Sequence, residues 1–269
     1  MTHKPSPNST ANSVVNSQLA ADATALAALL RPGQNVVFFG GAGVSTESGI
    51  PDFRSEAGLY AAKSVYGYPP EDLLSIEMLH NQPELFWKYL KENLIHVDVK
   101  PNAAHIALAE LEKRGIVTAV ITQNIDNLHQ AAGSKNVLEL HGSLERNYCL
   151  KCHAKYPLSF VMDTANCPDG IVPQCAVAGC GGMVRPDVVL YGEPLENSVM
   201  RASALAISRA DVLIVAGTSL AVYPAAGLVQ YFGGDHLVLI NKTETPLDQH
   251  ADLVIHEPVG EVLKLATAS

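Results

Sequence analysis

The sequence predicts an α/β protein: a doubly wound parallel sheet with a smaller zinc-binding and helical domain inserted into it. Short apolar runs rich in β-branched residues alternate with amphipathic helical segments, which is the pattern of a parallel sheet. The first run, residues 36–39, ends in the turn Gly40-Gly41-Ala42-Gly43, where missing side chains would let the backbone approach a phosphate. Two close cysteine pairs between residues 149 and 180 have metal-ligand spacing.

The elements can be justified in chain order. Residues 1–18 are rich in Ser, Asn, Thr and Pro, and we expect a disordered lead-in. Leucines at helical spacing predict a helix over 18–30, which Pro32-Gly33 ends. Further helices are predicted at 83–94 and at 103–114, the latter closed by Gly115. Further strands are predicted at 117–122, 137–140, 188–191, 212–216 and 237–240.

The overall composition excludes several classes of protein. The chain has 269 residues and a formal net charge of −9, which argues against non-specific binding to nucleic acid. Its apolar runs fall short of the roughly 18 residues that a membrane helix needs, and its first residues lack a signal-peptide pattern. We therefore expect a cytoplasmic monomer that does not associate with membranes.

Polar residues follow the predicted strands of the sheet. Parallel sheets bind ligands at the carboxyl ends of their strands, so these residues should gather at one edge. They are of the types that hydrogen-bond phosphate, ribose and amide groups: residues 40–45, 123–126, 141, 217–219 and 241–242. The glycine turn lacks the third glycine of a full dinucleotide fingerprint, because position 46 is Thr. A plain glycine-rich turn after a core strand therefore remains an alternative at this point.

The cysteines point to a structural metal. Cys149, Cys152, Cys175 and Cys180 can supply four thiolates to one tetrahedral Zn²⁺, which leaves no open position for water. The insert is too short and too polar to build a core unaided. Cys167 and His153 are alternative ligands, and unligated thiols or a nucleic-acid-reading zinc ribbon are alternative interpretations.

Taken together and in order, these pieces resemble one family, the sirtuins of bacterial type, which are NAD-dependent protein deacylases. The matching motifs are Gly41-Ala42-Gly43-Val44-Ser45, Gly49-Ile50-Pro51-Asp52-Phe53-Arg54, Thr122-Gln123-Asn124-Ile125-Asp126, Leu140-His141-Gly142, the cysteine pairs, Arg185-Pro186-Asp187-Val188-Val189-Leu190-Tyr191-Gly192-Glu193, Gly217-Thr218-Ser219 and Asn241.

The resemblance implies a division of the chain. A Rossmann-like NAD-binding domain would comprise residues 19–54, 102–142 and 183–269. A helical module with the cofactor loop would take 55–101, and a zinc-binding module 143–182. NAD and an acetyl-lysine protein or peptide would meet in the cleft between the large and small parts.

The resemblance also implies the reaction. The acetyl group passes from lysine to ADP-ribose, with release of nicotinamide and O-acetyl-ADP-ribose. The catalytic set would be His141, Asn124 and Asp126. His141 would act as general base towards a ribose hydroxyl. Asn124 and Asp126 would hold the nicotinamide carboxamide, and Gln123 would contact the ribose.

The remaining implied sites surround these residues. The cofactor loop and its turn would bind NAD through Gly41, Ala42, Gly43, Ser45, Thr46, Phe53 and Arg54. The later turns would take the adenosine half through Gly217, Thr218, Ser219, Asn241 and Lys242. One wall of the peptide groove would consist of Val188, Val189 and Tyr191, where an extended substrate could add as a strand.

Two further expectations concern specificity and reaction class. Desuccinylating members carry a Tyr-x-x-Arg pair that we align with Trp87 and Leu90, so we expect removal of uncharged acyl groups and poor desuccinylation. A protein mono-ADP-ribosyltransferase on the same fold is the alternative function, and a non-catalytic NAD- or zinc-binding module and a dehydrogenase are weaker ones.

Overall fold

The computed structural model describes residues 7–52 and 63–268, without the side chains of residues 7–16, 63 and 64. The strands are β1 Val36–Gly40, β2 Val117–Thr122, β3 Val137–Glu139, β4 Gly142–Cys149, β5 Lys155–Pro157, β6 Val184–Val188, β7 Val212–Ala216, β8 His236–Ile240 and β9 Leu253–Ile255. The α-helices are α1 Pro7–Ala27, α2 Lys63–Tyr66, α3 Pro70–Leu73, α4 Ile76–Asn81, α5 Pro83–Asn93, α6 Ala103–Lys113, α7 Leu128–Ala132, α8 Leu158–Met162, α9 Asn197–Ser208 and α10 Val259–Ala268. Short 3₁₀ helices occupy Ala42–Ser48, Thr164–Asn166, Ala225–Tyr231 and Asp248–His250.

The large sheet has six parallel strands in the order β3-β2-β1-β7-β8-β9. Every residue of β1 and of β7 is buried, since helices cover both faces. From β1 the chain proceeds outward through β2 and β3, and from β7 it proceeds the opposite way through β8 and β9. The strand order therefore reverses between β1 and β7, where doubly wound sheets bind their ligands. The predicted fold class is confirmed.

Side-chain alternation along β1 divides the core of this domain. Val36 and Phe38 pack with α1, α6 and α10 on one face, whereas Val37 and Phe39 pack with α9 and the following 3₁₀ helix on the other. This is the period of two expected of a strand covered on both sides.

The smaller part has its own sheet and core. Its strands are antiparallel in the order β5-β4-β6. Trp87 and Leu90 of α5 share one hydrophobic cluster with Cys149 and Val184 of this sheet. The helical module and the zinc-binding module therefore form one packed unit.

One expected strand lies in the other sheet. The strand predicted at 188–191 in the large sheet is observed at Val184–Val188, where it pairs with β4 in the small sheet. The physical reason is Pro186, which lacks an N–H to donate and so favours an edge strand, the position of β6.

The N-terminal lead-in also differs from its expectation. Helix α1 begins at Pro7, so residues 7–18 are helical rather than disordered, and it ends at Ala27 rather than at 30. Extending an existing helix needs no new nucleation, and proline is tolerated at a first helical position. Leu19, Ala23 and Leu26 are buried, the first and last of them in the cluster that α6 and α10 share. Across the described ranges, none of the helices combines the length and apolar character that crossing a membrane requires.

Candidate active site and zinc centre

The glycine turns that follow β1 and β7 contact one another at the carboxyl edge of the large sheet. The Gly43 N–H donates to the Gly217 carbonyl oxygen at 2.8 Å. A Cβ on Gly43 would lie 2.7 Å from the Gly217 Cα, and a Cβ on Gly217 would lie 2.4 Å from the Val44 nitrogen. Gly217 also has a φ of +58°, in the region that favours glycine. The glycines that the sequence assigns to phosphate approach are thus also required for contact between the β1 and β7 turns.

A hydrogen-bonded chain joins three predicted site residues. The Asn124 Nδ2 donates to Ser45 Oγ at 3.1 Å, and Ser45 Oγ donates to Asp126 Oδ2 at 2.6 Å. The other Asp126 oxygen accepts from the Leu128 N–H at the start of α7, at 3.0 Å. Ser45 is buried, so this chain orients the amide and the carboxylate relative to one another. The side-chain oxygen of Asn124, Oδ1, and the remaining lone pairs of the Asp126 carboxylate can still accept from the N–H groups of a carboxamide.

His141 is held by the end of β2. Its Nδ1 lies 2.8 Å from the Gln123 carbonyl oxygen. Because a carbonyl oxygen only accepts, Nδ1 carries the hydrogen and Nε2 carries the lone pair in the neutral ring. Burial lowers the pKa of His141, and the bond to Gln123 opposes this shift only in part. The ring is therefore neutral near pH 7, with a basic nitrogen at Nε2.

The residues predicted to bind the adenosine half differ in how the protein holds them. Gln123 Nε2 donates to Thr218 Oγ1 at 3.1 Å, which links the ends of β2 and β7, and Ser219 follows in that turn, half-buried. Asn241, directly after β8, turns its Nδ2 back to the Thr243 carbonyl oxygen at 2.7 Å. Lys242 is exposed.

The remaining predicted cofactor residues concern the turn and loop after β1. Ala42 opens the 3₁₀ helix, and Thr46 Oγ1 donates within it to the Gly43 carbonyl oxygen at 2.9 Å. Phe53 and Arg54 lie outside the described residues. The described cofactor residues thus gather at the carboxyl ends of β1, β2, β7 and β8, while their individual roles remain predictions.

The proposed wall of the peptide groove follows β6. Val188 is buried at the end of that strand, and Tyr191 is 43% exposed. The Val189 N–H donates to the His141 carbonyl oxygen at 2.9 Å, and the Tyr191 N–H donates to the Leu74 carbonyl oxygen at 3.0 Å. The Leu190 N–H is bonded to Glu193 Oε2 at 2.9 Å. All three N–H groups of residues 189–191 thus have internal partners. Addition of a substrate strand along this segment would therefore use main-chain groups other than these three N–H groups, and it stays a prediction.

The four predicted thiols form one cluster. Their Sγ atoms all lie within 4.8 Å of one another, with 3.7 Å between Cys149 and Cys180 and 3.5 Å between Cys152 and Cys175. Four sulfur atoms at about 2.3 Å from one zinc ion in a tetrahedron are about 3.8 Å apart, so the cluster fits Zn²⁺.

The alternative ligands do not join this cluster. The Sγ of Cys167 accepts instead from Lys91 Nζ at 3.5 Å, and the four-residue group does not include His153. All five cysteines, each of which lies in the described part of the chain, are free of disulfides. The zinc-ligand set expected from the spacing is thus the one that the fold brings together.

Two histidines that the sequence leaves as structural form a buried pair beside the site. The rings of His105 and His129 are edge to face, with centroids 4.7 Å apart, and both side chains are buried. Burial lowers the pKa of His105 to about 4 and that of His129 to about 3. Both rings are therefore neutral in the folded protein near pH 7.

Sequence reasoning missed two residues that support the cofactor turn. Asn102 caps α6 together with His105, and its Nδ2 donates to the Val44 carbonyl oxygen at 2.8 Å. A polar residue after Pro101 and before an amphipathic run is the signal that could have identified this cap. Glu47 Oε1 accepts from the Gly260 N–H at the start of α10, at 2.8 Å. These two residues are 213 positions apart, and the sequence holds no local signal for their contact.

Comparison with known proteins identifies the family. The Sir2 family matches residues 41–224 of the chain, more than half its length. The chain belongs to the Sir2 family. An NAD-dependent protein deacetylase of Clostridium acetobutylicum is 54% identical over 230 residues, which is 86% of this chain and 91% of that protein. A Sir2 relative of the same description in Staphylococcus aureus strain N315 is 45% identical over 243 residues, with 90% and 97% covered.

Solved Sir2 structures agree with the fold. One, of Sir2 with a p53 peptide and NAD⁺, has a TM-score of 0.77 and 41% identity, and covers 88% of this chain and 93% of that one. Another, of a Sir2 variant with a deacetylated p53 peptide and 3′-O-acetyl ADP-ribose, has a TM-score of 0.82 and 40% identity, with 91% and 96% covered. The resemblance to sirtuins is confirmed.

Proposed function

We propose that this protein is an NAD-dependent protein lysine deacetylase that transfers the acetyl group to ADP-ribose and releases nicotinamide and O-acetyl-ADP-ribose. The observation that carries the proposal is the state of His141. Its Nδ1–H is bound to the Gln123 carbonyl oxygen, and its Nε2 has no hydrogen-bonding partner in the described part of the chain. A neutral imidazole with one nitrogen tethered and the other available is suited to general base catalysis.

The residues around the site divide the work of the reaction. NAD, when bound, supplies the ribose carbon that accepts the acetyl oxygen and the nicotinamide that leaves. Asn124 and Asp126 hold the carboxamide, and their orientation is set by Ser45. His141 takes the proton of a ribose hydroxyl at Nε2 and returns it later. The positive charge that develops on the ring is stabilised by the Gln123 carbonyl oxygen, which lies at 2.8 Å.

Zinc has a structural role in this proposal. The four thiolates of Cys149, Cys152, Cys175 and Cys180 close the coordination shell, so the ion has no position for substrate or water. It holds together the loops that flank β4 and β6. Cys149 and Cys175 also belong to the cluster that contains Trp87 of α5. The metal therefore supports the whole smaller domain, which forms one side of the cleft.

The acyl group is proposed to be uncharged. Trp87 and Leu90 are buried in an apolar cluster, and neither carries the positive charge that would offset the desolvation of a succinyl carboxylate. We also place the protein in the cytoplasm, because four clustered cysteines that form no disulfide and are available to a metal are typical of a reducing compartment.

Product analysis tests the function. The purified protein is incubated with an acetyl-lysine peptide, with and without NAD, and the products are identified by mass spectrometry. Deacetylated peptide together with O-acetyl-ADP-ribose, only when NAD is present, is the expected result. A protein or peptide that gains an ADP-ribosyl group instead would indicate the transferase, and formation of NADH would indicate a dehydrogenase.

A further inference from the structure

A tight turn of four residues, Leu190–Glu193, follows β6 and leaves Tyr191 43% exposed. The Glu193 N–H donates to the Leu190 carbonyl oxygen at 2.9 Å, and the third residue, Gly192, has a φ of +91°. A positive φ at the third position is the requirement of a type II turn. We call residues 190–193 the Tyr191 turn.

A buried ion pair clamps the Tyr191 turn to its strand. Arg185 on β6 is 4% exposed, and its two terminal nitrogens contact the two Glu193 carboxylate oxygens at 2.7 and 2.8 Å. Its Nη2 also donates to the Val188 carbonyl oxygen at 2.8 Å, and its Nε donates to that of Pro186 at 3.1 Å. Glu193 Oε2 accepts in addition from the Leu190 N–H at 2.9 Å. The other bonds of the pair thus go to the main chain of residues 186–190.

The Tyr191 turn is in contact with two further parts of the site. The Tyr191 N–H and carbonyl oxygen bond to Leu74 and Ile76 of the helical module, both at 3.0 Å. The Val189 N–H, one residue before the turn, donates to the His141 carbonyl oxygen at 2.9 Å. A shift of the turn would therefore move the proposed peptide wall and the main chain at His141 together.

A contribution to the free energy of unfolding does not by itself explain why this ion pair is buried. Burying two charges costs desolvation energy, and apolar residues of the same size often stabilise a protein as well or better. Burial would raise the pKa of Glu193, but the Arg185 guanidinium and the Leu190 N–H hold it below its ordinary value. The pair is therefore charged near pH 7, and its bidentate geometry fixes direction as well as distance.

We propose that Arg185 and Glu193 are a positioning pair for the acyl-lysine substrate: they hold the Tyr191 turn, and through Val189 the His141 main chain, in the arrangement that binds peptide. This inference rests on the proposed deacetylase function. Neither residue needs to touch NAD, so the pair acts on peptide binding and leaves NAD binding unchanged.

The test compares Arg185→Lys and Glu193→Gln with the wild type. Lysine keeps the charge of Arg185 but lacks the two parallel N–H donors of the guanidinium group, and glutamine keeps the size of Glu193 without its charge. Arg146→Lys is the matched control, because Arg146 pairs with Asp187 from the neighbouring strand at 2.9 Å but is half exposed. We expect the KM for acetyl-lysine peptide to rise about tenfold in the first two variants, with the KM for NAD and the zinc content unchanged. The control should match the wild type.

Two results would overturn the inference. One is folded variants with a lower Tm but a wild-type KM for peptide, which would make the pair structural only. The other is an equal rise in the KM for NAD, which would mean a general loss of order. Glu193→Asp replaces Glu193→Gln if the latter does not fold. Fluorescence anisotropy of a labelled acetyl-lysine peptide measures peptide binding directly. It therefore tests the pair even if the wild type forms no O-acetyl-ADP-ribose, which is the result that would refute the proposed function.

Discussion

The contact between the two glycine turns can be tested by adding single methyl groups. Gly43→Ala would place a Cβ 2.7 Å from the Gly217 Cα and 2.9 Å from its carbonyl oxygen. Both atoms belong to the backbone, so no side chain can rotate away, and the turns must separate. Overpacking of this kind costs about 1–3 kcal/mol of unfolding free energy. The φ of Gly43 lies outside the left-handed region, so this variant measures the contact alone.

Gly217→Ala adds backbone strain to the same contact. Its Cβ would lie 2.4 Å from the Val44 nitrogen, and its φ of +58° costs a residue with a side chain about 1–2 kcal/mol. The two effects together should lower the unfolding free energy by about 2–5 kcal/mol, which corresponds to a Tm lower by roughly 5–15 °C.

Two other glycines serve as controls that separate the effect of backbone strain from the effect of the contact between the turns. Gly33 has a φ of +91° with no described heavy atom within 4 Å of its Cβ position, so Gly33→Ala measures strain alone. Gly233 has neither constraint, so Gly233→Ala should behave as the wild type. Stability is measured by urea unfolding, and NAD affinity by isothermal titration calorimetry.

The affinity result decides the role of the contact. We expect NAD affinity to fall about tenfold or more in the Gly43 and Gly217 variants only, because only these displace the turns at the cofactor edge. If Gly43→Ala unfolds at the same urea concentration and binds NAD as tightly as Gly233→Ala, the contact between the turns contributes neither to stability nor to NAD binding, and the prediction is wrong.

Four other outcomes are expected. His141→Ala should abolish deacetylation while NAD affinity measured by calorimetry stays within about twofold, since only the base is removed; loss of NAD binding would make His141 structural. Cys149→Ser should lose zinc and activity together, measured by metal analysis and turnover, whereas Cys167→Ser should keep both. The unfolding free energy should fall as pH drops below about 6.5, by about 1.4 kcal/mol per pH unit for each of His105 and His129, because the unfolded chain binds protons that the buried rings do not. Urea unfolding of His129→Leu between pH 7 and 5.5 should show a flatter dependence, and an unchanged slope would contradict this. Acetyl-lysine peptides should turn over much faster than succinyl-lysine peptides, and comparable rates would refute the proposal that the acyl group is uncharged.

Much of the candidate site could be predicted because it follows from local patterns. Polar residues after buried strands must meet when those strands run parallel, and this places Asn124 and His141 near the glycine turn without knowledge of the fold's details. The cysteine spacing likewise allows four thiols to reach one ion. The individual roles of the cofactor residues stay predictions, since position at an edge does not specify which atom a ligand contacts.

The failed expectations share a different cause. Residues 188–191 are apolar enough for a strand of the large sheet, but membership in a sheet depends on the partner strand, and Pro186 favours an edge. Residues 7–18 have a loop-like composition, yet they extend a helix that packs elsewhere on α10.

The amino-acid sequence by itself determined the fold class, the zinc ligands and the gathering of polar residues at one sheet edge, because periodicity, turn chemistry and ligand spacing are properties of neighbouring residues. Only the tertiary structure decided which nitrogen of His141 is basic, why Gly43 and Gly217 cannot carry a side chain, and what Arg185 holds in place. Each of these depends on a hydrogen bond or a contact whose partner is chosen by folding. The order of residues along the chain does not indicate which backbone atom folding will bring within hydrogen-bonding distance of a side chain, such as the Gln123 carbonyl oxygen 2.8 Å from His141 Nδ1.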